Sequence, residues 1–129
     1  MDRAVNTQTL ARAAYSQTSA PIRTDRGTEY EIFARVTHKL RAAAARGKPG
    51  FAALAEAVHQ NRQLWTLLAA DVADGENALP RDVRARIFYL AEFTQEYSRR
   101  ILSKGASIAP LVEINAAMMR GLRGRGGAA

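Results

Sequence analysis

The chain has no cysteine, one tryptophan, two histidines and four prolines in 129 residues, and each scarcity removes a class of chemistry. Without thiols there is no disulfide framework, no thiolate nucleophile and no cysteine-held zinc or iron–sulfur centre. No stretch reaches the roughly 18 uninterrupted apolar residues that a membrane span needs. The opening MDRAVNTQTLARAAYSQT also lacks an apolar core of signal-peptide length. A soluble, unexported, cytoplasmic protein is therefore the expectation. Long β-branched runs are missing as well, while alanine is abundant and glycine and proline gather at a few points. That composition favours helices.

What is present in excess is positive charge, 19 Lys and Arg against 12 Asp and Glu for a net +7. Such a surplus suits an acidic partner, nucleic acid or an anionic surface, and its sign alone does not choose among them. Its distribution is uneven. Between Glu31 and Glu56 there is no acid, whereas Arg35, Lys39, Arg41, Arg46 and Lys48 all fall there.

Apolar spacing predicts five helical segments in one domain. A short first candidate spans residues 7–17 and ends in the linker TSAPIRT. The second runs from about Thr24 to Arg46, with Tyr30, Phe33, Thr37, Leu40 and Ala44 on one face and Gly47 as its stop. From Gly50 to Ala73 the steps alternate three and four through Phe51, Leu54, Val58, Asn61, Trp65, Leu68 and Val72, a seam on a helix about 36 Å long. After the loop chemistry of DGEN, Pro80 fits the first turn of a fourth helix carrying Val83, Ile87, Leu90, Thr94, Tyr97 and Ile101. Ser107 caps a last helix with Leu111, Ile114, Met118 and Leu122 as its stripe. The fold class is all-α, a compact bundle of about five helices whose third and fourth members form a long central antiparallel pair. The domain spans 1–122, and 123–129 reads as a disordered Gly/Arg-rich tail.

Enzyme chemistry finds little support. Glu56 and His59 make one Glu-x-x-His pair, which on a helix shares a face. Di-iron bundles use that motif twice with further inward glutamates, and His38 has no glutamate three residues before it. Neither Gly-x-Ser-x-Gly nor a phosphate-cradling glycine loop occurs. The expectation is a non-enzymatic protein with no metal and no cofactor.

The stretch HQNRQLW at 59–65 is more informative, because it places five polar or cationic side chains in the most regular apolar helix. Asn61 interrupts the seam and must be bonded or exposed, since an unpaired buried amide costs about 1–3 kcal/mol. Arg62 lies just off the seam and His59 flanks it. Trp65 is on the seam, where a core role with a bonded indole N–H is the commoner use. Met118 and Met119 are adjacent, so one is expected in the core and the other outward. Arg120, Arg123 and Arg125 resemble a single arginine–glycine RNA-binding repeat.

Taken together, AYSQT at 14–18, TEYEIFARVTHKL at 28–40, HQNRQLWTLLAAD at 59–71, NALP at 77–80 and LVEINAAMMRGL at 111–122 resemble the FlaF family, flagellar biosynthesis regulators of alphaproteobacteria. The resemblance implies a cytoplasmic, non-enzymatic helical protein that binds flagellin as a chaperone or assembly factor, alongside an FlbT-type regulator. It carries over to Tyr15, His59, Asn61, Arg62, Trp65, Asp71, Pro80, Asn115 and Gly121. For partner contact the candidates are Tyr15, His59, Asn61, Arg62, Trp65, Asn115 and Met119, in a monomer or a 1:1 complex with flagellin. The alternative is an RNA-binding translational regulator of flagellin messenger RNA, resting on the +7 charge.

Overall fold

A computed structural model describes residues 25–128, apart from the side chains at 123–128 and at three positions in the first turn of the opening helix. The first helix candidate, its linker and Tyr15 lie outside the described residues. Within them there are four α-helices and no strand: α1 Asp25–Ala45, α2 Phe51–Ala73, α3 Arg81–Lys104 and α4 Ala109–Ala128. The all-α class holds. The Gly/Arg-rich tail falls where side chains are not described.

Local signals account for the boundaries. α1 ends in a tightening of backbone bonds, Arg46 N–H to Ala43 O and Gly47 N–H to Ala44 O, both at 3.1 Å. Gly47 then takes φ 68°, a left-handed conformation that glycine adopts without a Cβ penalty. A single 3-10 turn, Lys48–Gly50, leads into α2. Gly50 sits so close to α1 that an added Cβ would lie 2.6 Å from Ala43 O and 2.7 Å from the Arg46 Cβ. Gly50→Ala is therefore expected to cost about 1–3 kcal/mol, because a backbone carbonyl must give way; urea denaturation of the variant checks it.

Pro80 precedes α3 as its N-cap in extended backbone and does not occupy the first helical turn, which opens at Arg81 with Asp82 favourably near the positive end. α3 stops at Gly105, again left-handed at φ 69°. Ser107 does cap α4, its Oγ accepting from the Ala109 N–H at 3.0 Å. Between α2 and α3, Asn77 closes the loop by donating from Nδ2 to the Asp71 carbonyl and accepting the Leu79 N–H at Oδ1. Those contacts give Asp71 and Asn77 local architectural roles.

Neighbouring helices run antiparallel, with the most extensive packing between α2 and α3, α1 and α4, and α1 and α2. The α2–α3 pairing expected from the two seams is present, and its register is read from Val58 with Ile101, Arg62 with Gln95 and Val72 with Ile87. The core falls into two apolar clusters. One gathers Phe33, Val36, Leu64, Trp65, Val72, Ile87, Ala91 and Leu122, the other Leu40, Ala57, Val58, Ile101 and Leu111. Phe51 departs from its expected place in the seam, being 51% exposed. The α1–α2 register, Phe33 against Trp65 and Lys39 against Gln60, sets Phe51 level with Gly47, beyond the end of α1.

Candidate functional site

Between the two apolar clusters lies a thin polar layer drawn from three helices. Thr37 of α1, Asn61 of α2 and Asn115 of α4 are all at most 1% exposed, and the Trp65 ring beside them is fully buried. Each helix delivers its residue because a polar side chain stands at a core-facing position of an otherwise apolar stripe.

Asn115 is the hub. Its Oδ1 accepts the Trp65 indole N–H at 2.9 Å, while its Nδ2 donates to Asn61 Oδ1 at 2.8 Å and to Thr37 Oγ1 at 3.0 Å. One amide thereby satisfies three groups that burial would otherwise leave bare. The Trp65 ring meets Phe33 edge to face, centroids 5.7 Å apart at 76°, which fixes the indole from the α1 side.

A second constellation joins α2 to α3 at the bundle's edge. Arg62 Nε donates to Gln95 Oε1 at 2.9 Å, and Gln95 Nε2 returns bonds to the Arg62 carbonyl and Thr66 Oγ1, each at 3.1 Å. Arg62 thus uses its guanidinium to hold a helix. Gln95→Ala removes all three bonds at a partly hydrated site and is expected to cost about 1–2 kcal/mol in a thermal melt.

The candidate residues therefore separate. Asn61, Trp65 and Asn115 are enclosed and join one another, Arg62 is half-buried against α3, and His59 is exposed. Glu56 Oε2 accepts from Gln60 Nε2, in a surface chain that continues to Lys39. Among the described residues no three potential metal ligands gather. Met118 and Met119 do not divide between core and surface, since both are half-buried against the same cluster. Successive helical residues differ by only about 100°, so the two straddle one stripe. Gly121 is exposed with open space around it, and nothing in the structure explains its glycine.

Thr37, visible in the sequence as the polar member of the α1 stripe, joins the layer. Its partner Asn115 stands between the stripe positions Leu111, Ile114 and Met118, where helical spacing from Leu111 does place it inward. Thr94 was visible as a polar member of the α3 seam, whereas Ser98 was not. Both hydroxyls are fully buried, and like Asn61 Nδ2 and Arg84 Nε they have no hydrogen-bond partner.

A family model described as flagellar protein FlaF matches residues 11–122, the whole of the polar layer and all but the last residues of the bundle. The chain belongs to the FlaF family. The FlaF match takes in α1, α2 and α3 in full and α4 as far as Leu122. No curated protein and no solved structure matches the chain. Within this FlaF chain, Asn61, Trp65 and Asn115 from the stretches that carried the resemblance are one hydrogen-bonded unit. No described helix is long and apolar enough to cross a membrane.

Proposed function

We propose that this flagellar protein is a non-enzymatic, cytoplasmic binding factor for flagellin, acting as a chaperone or assembly factor between flagellin synthesis and export. Membership of the FlaF family over residues 11–122 is the observation that carries this reading. The physics is compatible with it. Flagellin's terminal segments are amphipathic helices that pair in the assembled filament, and before export their apolar faces need cover. A helical bundle offers such cover by laying its own helices against them. The exposed Arg35 and Lys39, one turn apart on α1, and the exposed Arg46 just past its end would steer an acidic partner.

The test is co-purification of the full chain with its host's flagellin, followed by sizing of the complex. A 1:1 complex that persists as salt is raised is the expected outcome, and failure to capture flagellin counts against the reading. The same basic residues favour a second reading, a translational regulator that binds flagellin messenger RNA with or without an FlbT-type partner. RNA binding that falls steeply with salt, together with no capture of flagellin, would move the assignment to it.

A further inference from the structure

The buried polar layer also divides the bundle by charge. Thr37, Asn61 and Asn115 mark its level on α1, α2 and α4, and the register of Val58 with Ile101 and Arg62 with Gln95 puts Ser98 at that level on α3. Toward the α1–α2 and α3–α4 connections lie residues 38–60 and 99–114, with seven Lys and Arg against two Glu, a net +5. The other half, residues 25–36, 62–97 and 116–122, has seven Lys and Arg against nine Asp and Glu, a net −2. Antiparallel packing produces this segregation, because the ends of α1 and α3, far apart in sequence, arrive at one end of the bundle.

All seven cations of the basic half are exposed. Lys39 donates to Gln60, and Arg99 pairs with Glu96 at 2.6 Å. Among the described residues Arg41, Arg46, Lys48, Arg100 and Lys104 form no ion pair. Like charges gathered without counter-charges repel one another, and an anionic partner relieves that repulsion.

Phe51 stands at the same end. Counting back from Val58 while counting on from Ile101 sets it level with the connection between α3 and α4, just past Lys104. It is 51% exposed, and the turn that carries it is pinned, since a Cβ on Gly50 would lie 2.6 Å from Ala43 O. The backbone presenting Phe51 is therefore ordered before any partner arrives. The other large exposed hydrophobics among the described residues, Phe88 and Tyr89, lie in the acidic half. A single aromatic among cations suits one apolar side chain flanked by carboxylates better than a run of stacked bases, which needs successive aromatic platforms.

We propose that the basic end of the bundle is a docking surface for an acidic protein segment, steered by Lys48, Arg100 and Lys104 and anchored by an apolar side chain on Phe51. That this segment belongs to flagellin rests on the flagellin-binding reading; the acid-binding end stands without it.

Binding kinetics of the full chain with its host's flagellin separate charge from anchor, with circular dichroism confirming that each variant is folded. Lys48→Glu/Arg100→Glu/Lys104→Glu should slow association about tenfold or more at low salt, with the gap closing as salt rises. Arg81→Glu/Arg86→Glu/Arg120→Glu makes the same change of net charge in the other half and should slow it less than about threefold. Phe51→Ala should leave association unchanged and speed dissociation about fivefold. Equal slowing by the two charge variants would mean that net charge alone acts, and it would overturn the proposal, as would no effect from either.

If the wild type does not bind flagellin, the flagellin reading falls and the site is tested by itself. Amide shifts are then mapped with a synthetic peptide of glutamates around one central leucine, and with oligouridylate. Shifts from the peptide confined to residues 46–52 and 100–108 uphold the acid-binding end. Absence of shifts, or shifts with the oligonucleotide only, sinks it.

Discussion

Asn115→Ala is expected to lower the stability of the bundle by about 3–5 kcal/mol, the larger part arising from what it leaves behind. The substitution strands the Trp65 indole N–H in a dry interior and takes the donor from Asn61 Oδ1 and Thr37 Oγ1. Asn61 Nδ2 already lacks a partner, so the Asn61 side chain would have no hydrogen bond to protein at either end. Removing one hub thus creates several unsatisfied groups, whereas a peripheral pair of the same geometry would create one. Urea denaturation followed by the emission of the single tryptophan checks this directly. A loss under about 1 kcal/mol would mean that water or a neighbouring side chain takes over the hub, and the layer would not be the junction of the three helices.

Trp65→Ala should be of similar size, about 3–5 kcal/mol, for a different reason. The indole is fully buried, contacts Phe33 edge to face and belongs to the larger apolar cluster, so truncation opens a cavity that three helices would have to collapse to fill. Trp65→Phe separates packing from bonding. It keeps most of the ring but leaves Asn115 Oδ1 without the indole donor, for an expected loss of about 1–3 kcal/mol. Circular dichroism melts of the two variants give the comparison. If phenylalanine costs as much as alanine, the hydrogen bond and not the ring volume dominates at this position.

Much of the bundle was readable from periodicity. The three-and-four spacing on α2 and α3 identified two long helices and their pairing, since apolar stripes must be buried against something. Boundaries were readable wherever a single residue sets the backbone: Gly47 by its positive φ, Ser107 by its cap, Asn77 by its loop bonds. Pro80 slipped by one position because a proline suits the residue before a helix as well as its first turn. Phe51 misled because periodicity reports a face and not how far the opposing helix extends.

The polar layer was half legible. Asn61 was conspicuous as a break in an apolar seam, and such a residue has to be bonded or exposed. Its partner, however, lies 54 residues away on another helix, a pairing that spacing along one helix cannot reveal. Nor could spacing show that Arg62 reaches α3, or that the hydroxyls of Thr94 and Ser98 are buried without partners. Resemblance picked out Asn61, Trp65 and Asn115 individually; only three-dimensional contact shows that they form one junction, and so why surface-binding roles for them give way to internal ones.

The reach of that junction bears on the order in which the molecule is made. Thr37 and Asn115 are separated by 78 residues and Trp65 and Asn115 by 50, yet they share one amide. A nascent chain emerges from its N-terminal side, so α1, α2 and α3 leave the ribosome before the residue that joins the polar groups of α1 and α2. Until α4 follows, the interval is one in which an indole N–H and two polar side chains await their acceptor and donor. A product truncated ahead of Ala109 would carry that incompleteness permanently. Closure of this bundle is therefore a late event in synthesis, timed by the arrival of a single asparagine.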